Sequence, residues 1–257
     1  MTELFRGRRA LVTGASSGIG ADIARQLAQR GTNLILVARR ADRLDALATE
    51  CRLFGVTAET APADLADPVA RVDLAARFSD IDILINNAGL GAFGPFAETE
   101  WVKIDRMIAV NITALTHLTH LFAPAMARRG WGRIMLVAST AAFQSIPLYA
   151  VYAATKAYVL SLGTALNAEL SAQGVKTTVL CPGTTTTEFF EIASQKKSAF
   201  IERSAMTSAE VARIGIEGMA KGRGTVVSGV ANAALAFSTR LAPRNLAARI
   251  AYHVVKP

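Results

Sequence analysis

The chain has 257 residues, 51% of them hydrophobic and 19% charged, with no low-complexity tract and no internal repeat. These proportions exclude a disordered or fibrous chain, and no uncharged apolar stretch is long enough to span a bilayer. The net charge of +8 is uneven, because residues 218–257 carry six Lys or Arg and no Asp or Glu, leaving +2 for the first 217 residues.

The N-terminal MTELFRGRRALVTG is basic but lacks the apolar core of a secretory signal, so a cytoplasmic protein is expected. Short apolar runs of strand type recur at 10–13, 34–37, 57–61, 81–85, 134–138, 177–180 and 225–227. Amphipathic helical stretches lie between them, as at 21–29, 43–54 and 69–78. This alternation predicts an α/β fold, a Rossmann-type doubly wound parallel sheet with helices on both faces. No Pro/Gly/Ser-rich linker divides residues 1–257, so a single domain is expected, with ligands beyond the C-terminal strand ends.

The first strand runs into Thr13-Gly14-Ala15-Ser16-Ser17-Gly18-Ile19-Gly20 and then into a helix. Glycines let the backbone approach a pyrophosphate, and a helix N-terminus offers free N–H groups and a positive dipole end. At the end of the second strand, the acid that holds the ribose hydroxyls of NAD is absent: Ala38 stands there, followed by Arg39 and Arg40. A guanidinium suits a 2′-phosphate, so NADP(H) is expected over NAD(H).

Cys51 and Cys181 have no C-x-x-C spacing and read as buried free thiols of a reducing compartment. His117 and His120 read as ordinary helix residues, and no metal is expected.

Ser139 closes the fifth apolar run, and Tyr152 and Lys156 follow in YAATK. A tyrosine serves proton transfer near neutrality only when its phenolate is stabilised, and an ammonium one helical turn away supplies that. A second copy of the spacing, Tyr252 to Lys256 with Thr239 upstream, lies in a helix-prone segment with no strand end beside it and reads as chance.

Residues 184–206 are irregular and read as a lid over the site. Thr207 to Glu210 then form a capping box that opens a helix to about residue 221. The segments expected to face the substrate are apolar: 90–96, 141–149, and 188–200 with Phe189, Phe190 and Phe200, so a hydrophobic ketone or aldehyde fits. Lys196 and Lys197 read as solvated lid charges. The basic, apolar tail at 230–257 reads as helices over the cleft or at a subunit contact, with peripheral contact to an anionic membrane as the other reading and no nucleic-acid partner.

These residues together resemble the short-chain dehydrogenase/reductases: TGASSGIG at 13–20, Asp64-Leu65, Asn86-Asn87-Ala88-Gly89, Asn111, Ser139, YAATK at 152–156, and Pro182-Gly183 with Thr187. From residue 31 to 40 and across YAATKAYVLS the chain is also similar to little-characterised bacterial oxidoreductases and to steroid and long-chain 3-oxoacyl reductases. The resemblance implies that Asp64 accepts from the adenine amino group and that Asn86 lies beside the adenosine ribose. It further implies that Pro182-Gly183, Thr185 and Thr187 hold the carboxamide. Thr185 departs from the usual aliphatic residue, at a contact made through backbone atoms. Ser17 stands where some strongly NADP-preferring members carry a basic residue, so the preference rests on Arg39, joined by Arg40.

The expected activity is hydride transfer between NADP(H) and a carbonyl/alcohol pair. Ser139 would polarise the carbonyl, Tyr152 carry the proton, Lys156 lower the tyrosine pKa and hold the ribose, and Asn111 anchor a water leading to Lys156. The alternative is a catalytically silent NADP(H) sensor, which normally lacks one of these four residues. A homodimer or homotetramer built through the helices bearing Asn111 and Tyr152 is implied by the resemblance.

Overall fold

The computed structural model describes residues 3–186, 205–241 and 243–256. Seven strands form one sheet in the order β3-β2-β1-β4-β5-β6-β9, every pairing parallel. They are β1 (Arg9–Thr13), β2 (Asn33–Ala38), β3 (Ala58–Pro62), β4 (Ile83–Asn86), β5 (Gly132–Val137), β6 (Val175–Cys181) and β9 (Thr225–Val227). Two-residue strands β7 (Thr185–Thr186) and β8 (Met206–Thr207) pair with each other at the two ends of the expected lid. All seven apolar runs are strands of the sheet, and the fold is the doubly wound Rossmann type.

Helices cover both faces because consecutive strand residues point to opposite sides. Val12, Leu36, Ile85, Met135 and Leu180 pack on one side with α1 (Gly18–Ala28), α2 (Ala41–Arg52) and α7 (Ser208–Ala220). Their neighbours Leu11, Ile35, Leu84, Ile134 and Val179 pack on the other with α3 (Pro68–Arg77), α5 (Leu115–Arg128) and α6 (Ala150–Leu170). Helix starts follow local chemistry. Asp67 accepts from the Val69 N–H at 2.9 Å with Pro68 at the first helical position of α3. Thr207 and Glu210 form the expected capping box of α7.

The chain leaves β1 towards β2 and β3, then crosses back to β4, so the strand ends diverge between β1 and β4 and open a crevice there. Thr13 and Asn87 join that opening. The Thr13 Oγ1 accepts from the N–H groups of Asn87 and Ala88, each at 3.0 Å, and the Asn87 Nδ2 donates to the Thr13 carbonyl at 3.0 Å. On the far side, α6 lies close against β5 and β6 at Gly163, where a Cβ would stand 2.3 Å from Val179 Cγ2. That close approach brings the long helix, and the residues it carries, down onto the C-terminal end of β5.

The C-terminal helices α8 (Val230–Ser238) and α9 (Arg244–Val255) follow β9. No helix among the described residues is long and apolar enough to cross a membrane.

Candidate active site

A cavity of about 960 Å³ lies along the C-terminal strand ends. Of the residues expected at the site, Gly14, Ser16, Ser17, Gly18, Ile19, Arg39, Arg40, Asp64, Leu65, Asn87, Ala88, Gly89, Ser139, Tyr152, Lys156, Pro182, Gly183 and Thr185 line it. Gly20 and Asn111 stand behind the wall, while Thr187, Lys196, Lys197 and the three lid phenylalanines lie outside the described residues.

At one end the turn after β1 is built for close backbone approach. Gly14 and Gly18 have φ of 66° and 54°, which disfavour any residue bearing a Cβ. A Cβ on Gly20 would lie 2.4 Å from both the Gly14 carbonyl oxygen and Asn87 Nδ2. Ser17 flanks the first turn of α1 without capping it through its side chain, so the helix's N–H groups face the cavity. These features fit the pyrophosphate of a dinucleotide.

Arg39 is exposed at the rim, and Arg40 folds over the turn. The Arg40 guanidinium donates to Ser16 Oγ at 3.1 and 3.3 Å and to Ser17 Oγ at 3.1 Å. Arg40 is thus fixed more firmly than Arg39, on which the sequence argument chiefly rested. Across the cavity Asp64 accepts from the Ala66 N–H at 3.1 Å and is paired with Arg106 of α4 (Trp101–Ile108). Burial works to raise the Asp64 pKa, but the Ala66 N–H and the Arg106 guanidinium outweigh it, and the carboxyl stays below its usual range.

The expectation for Asn86 requires correction. As the last residue of β4 it points away from the cavity, donating to Thr119 Oγ1 at 2.9 Å and to the Leu115 carbonyl at 3.3 Å. The next residue, Asn87, faces the opening instead.

At the other end, Ser139 follows β5 and Tyr152 and Lys156 project from α6. The Tyr152 and Ser139 side chains are hydrogen-bonded, and Ser139 Oγ also accepts from the Ala141 N–H at 3.1 Å. The Lys156 Nζ, only 5% exposed as a residue, donates to the Val137 carbonyl at 2.9 Å and lies 5.7 Å from the Tyr152 ring centre. The expected lowering of the tyrosine pKa by Lys156 is not found. Burial raises Tyr152 to about 12 with the Ser139 bond opposing, and burial lowers Lys156 to about 8. The lysine is drawn to the Val137 carbonyl, and the buried Cys181 thiol, itself raised to about 12 by burial, opposes the lowering only in part.

Asn111 lies in a π-helical turn, Ala109–Ala114, that interrupts the α4–α5 helix. A widened turn of this kind displaces backbone hydrogen bonds and is frequent at functional sites. The side chain is buried and held at both ends: its Nδ2 donates to the Leu90 carbonyl at 2.9 Å and to Thr155 Oγ1 at 3.0 Å, and its Oδ1 accepts from the Leu90 N–H at 2.8 Å. It thereby fixes the loop after β4 against α6. A Cβ on Gly89 would lie 3.3 Å from Lys156 Nζ and 3.4 Å from Asn111 Oδ1, so the backbone, the amide and the ammonium converge at one point.

The apolar wall holds Leu90, Ala141, Ile146 and Tyr149 from the expected segments 90–96 and 141–149. Tyr149 stands between Phe93 and Tyr152, with ring centres 5.1 and 5.9 Å away, beside Leu148, whose φ of 66° is strained for a non-glycine. Outside those segments, Val110, Leu235 and Val255 also line the cavity. The last two come from α8 and α9, so the C-terminal helices reach the cavity rim. The second pair, Tyr252 and Lys256, is outside the cavity lining.

The short chain dehydrogenase family profile matches residues 8–198. A fatty acyl-CoA reductase of Mycobacterium tuberculosis is 39% identical over 181 residues, which are 68% of this chain and 62% of that protein. This chain therefore spans less than two thirds of that relative. A short-chain dehydrogenase from Sphingobium yanoikuyae in complex with NADPH is 35% identical, covering 93% of this chain and 94% of that one with a TM-score of 0.84. A short chain dehydrogenase/reductase from Burkholderia phymatum in complex with NAD is 26% identical, covering 92% and 93% with a TM-score of 0.82.

Proposed function

We propose that this chain, which belongs to the short-chain dehydrogenase/reductase family of oxidoreductases, transfers hydride reversibly between NADP(H) and the carbonyl/alcohol pair of a hydrophobic ketone or aldehyde. The observation that carries the reading is one continuous cavity with a glycine-rich turn and Arg40 at one end and hydrogen-bonded Ser139 and Tyr152 over Lys156 at the other. The nicotinamide cofactor supplies the hydride chemistry when bound. The uncapped start of α1 with Gly14 and Gly18 would hold its pyrophosphate, Arg40 and Arg39 its 2′-phosphate, and Asp64 and Leu65 its adenine. Asn87, Ala88 and Gly89 would flank its ribose, Lys156 would bind the nicotinamide ribose, and Pro182, Gly183, Thr185 and Thr187 would hold the carboxamide. The bound NADPH of the Sphingobium relative supports the phosphate assignment.

In the reductive direction the Ser139 hydroxyl holds the carbonyl oxygen and Tyr152 donates its proton as negative charge develops there. A phenol raised to about 12 is protonated at neutrality, and the alkoxide it meets is the stronger base. Lys156 keeps its charge below about pH 8 and would hold the nicotinamide ribose beside the phenol. Asn111 fixes the backbone of Leu90 and α6 around these groups and anchors the water that leads to Lys156.

The wall of Tyr149, Ile146, Val110 and Leu235 favours an apolar substrate over a sugar. The proposed homodimer or homotetramer forms over the outward faces of α5 and α6, where Ala123, Leu162 and Leu166 line a groove. The free, buried thiols of Cys51 and Cys181 fit a reducing compartment, and the cytoplasm is the proposed location. An absorbance screen of NADPH and NADH oxidation against apolar aldehydes, ketones, steroids and 3-oxoacyl thioesters tests the reading. It should show turnover with NADPH; turnover with NADH alone would overturn the role given to Arg39 and Arg40.

A further inference from the structure

We propose that the outward face of α8 and α9 docks on an anionic lipid bilayer, setting the rim of the cavity against the membrane. Only the second clause depends on the function proposed above.

The face follows from helical period. On α9, Ala247, Ala251 and Val255 recur every four residues on the inward side; Ala251 is buried and Val255 reaches the cavity. Leu246, Ile250 and His253 recur on the opposite side, where Leu246 and Ile250 are 50% and 55% exposed. Arg249 and Lys256 flank that stripe. On α8, Ala236 is buried while Val230 and Phe237 are exposed, as is Leu241 just beyond. Apolar side chains held outward in this way gain by entering the boundary between head groups and acyl chains.

The charge selects the partner. Arg240, Arg244, Arg249 and Lys256 are exposed, and none is ion-paired among the described residues. No Asp or Glu occurs from residue 218 to 257. A two-fold contact with a second copy would therefore set these cations against one another with no Asp or Glu on either helix to pair them. A nucleic acid would use the cations but leave Leu246, Ile250, Phe237 and Leu241 in water. An anionic bilayer satisfies both, and Lys256 over the Tyr252 ring at 5.9 Å places an aromatic and a cation together as interfaces favour. Because Leu235 and Val255 line the cavity rim, an apolar substrate would reach the site from the lipid side.

The test is co-sedimentation of the full chain with phosphatidylcholine vesicles, with and without an equal part of phosphatidylglycerol, at low and high salt. The chain should pellet with the anionic vesicles alone and be released by salt. The variant Arg240→Glu/Arg244→Glu/Arg249→Glu should lose ~10-fold or more of its partitioning, and Leu246→Asn/Ile250→Asn should lose several-fold, each with unchanged NADPH binding as evidence of folding. A full chain that stays in the supernatant at low salt, or a charge variant that pellets like the parent, overturns the proposal. So does a concentration-dependent mass increase without lipid that the same substitutions abolish, which would assign the face to a second copy. Pelleting without any carbonyl reduction would sink the reductase reading and leave the docking intact.

Discussion

Replacing Lys156 with methionine removes a buried ammonium from the centre of the site while keeping most of its volume. The lysine is 5% exposed and its pKa falls from the ordinary 10.5 to about 8 because burial penalises the charged form. At ~1.4 kcal/mol per pKa unit, holding that charge costs the fold ~3 kcal/mol at neutral pH. The folded-state pKa lies below the unfolded one, so between about pH 8 and 10.5 the unfolded chain binds a proton that the folded chain does not. Wild-type stability therefore gains from rising pH across that window through this group. The bond from Nζ to the Val137 carbonyl offsets about 1–2 kcal/mol. The variant should thus unfold ~1–2 kcal/mol later than wild type at pH 7, an advantage that fades and then reverses as the pH rises. Urea midpoints of both proteins at pH 7 and pH 10 check this, since other titrations cancel in the difference; reductive turnover should fall by ~10²-fold or more. A stability difference that does not change with pH would refute the reasoning, because the ammonium would then be no worse solvated in the fold than outside it.

Removing Arg40 tests the adenosine end. Arg40→Ala deletes three hydrogen bonds to Ser16 and Ser17 and one proposed phosphate partner, so fluorescence titration should show NADPH affinity falling ~10-fold or more and NADH affinity changing far less. Equal losses for both would make Arg40 a structural clamp of the turn. Gly20→Ala forces a Cβ to 2.4 Å from the Gly14 carbonyl, a backbone atom that cannot rotate away, and should lower the urea midpoint by the equivalent of ~1–3 kcal/mol. Tyr252→Phe, at the second Tyr–Lys spacing, should leave turnover within about 2-fold, since it lies outside the cavity lining.

The sheet was legible because buried parallel strands are nearly continuous apolar runs, as ALVT at 10–13 and LILV at 34–37 show. The glycine turn and YAATK carry their own spacing for the same reason: their geometry is local. What escaped was non-local. Arg106 meets Asp64 from a helix 42 residues away, and no local pattern announces that pairing. Asn86 and Asn87 were separated only by which face of the strand end each occupies, a one-residue register that the pair itself does not reveal. The π turn at Asn111 arises where the widened helix lets the amide reach both Leu90 and Thr155, partners from two other segments. Arg40 rather than Arg39 meets the serines because the chain turns into α2 there, with Arg40 as the residue just before the helix. The tail reads as helices over the cleft or at a subunit contact, whereas which of its residues reach the cavity, Leu235 and Val255, depends on where β9 ends.

The central claim is that Tyr152 moves a proton for hydride transfer in this cavity, and turnover of NADPH with an apolar ketone by Tyr152→Phe measures it directly. The account predicts a fall of ~10²-fold or more with NADPH binding largely intact, because only the hydroxyl bonded to Ser139 is lost. Turnover close to wild type would contradict it.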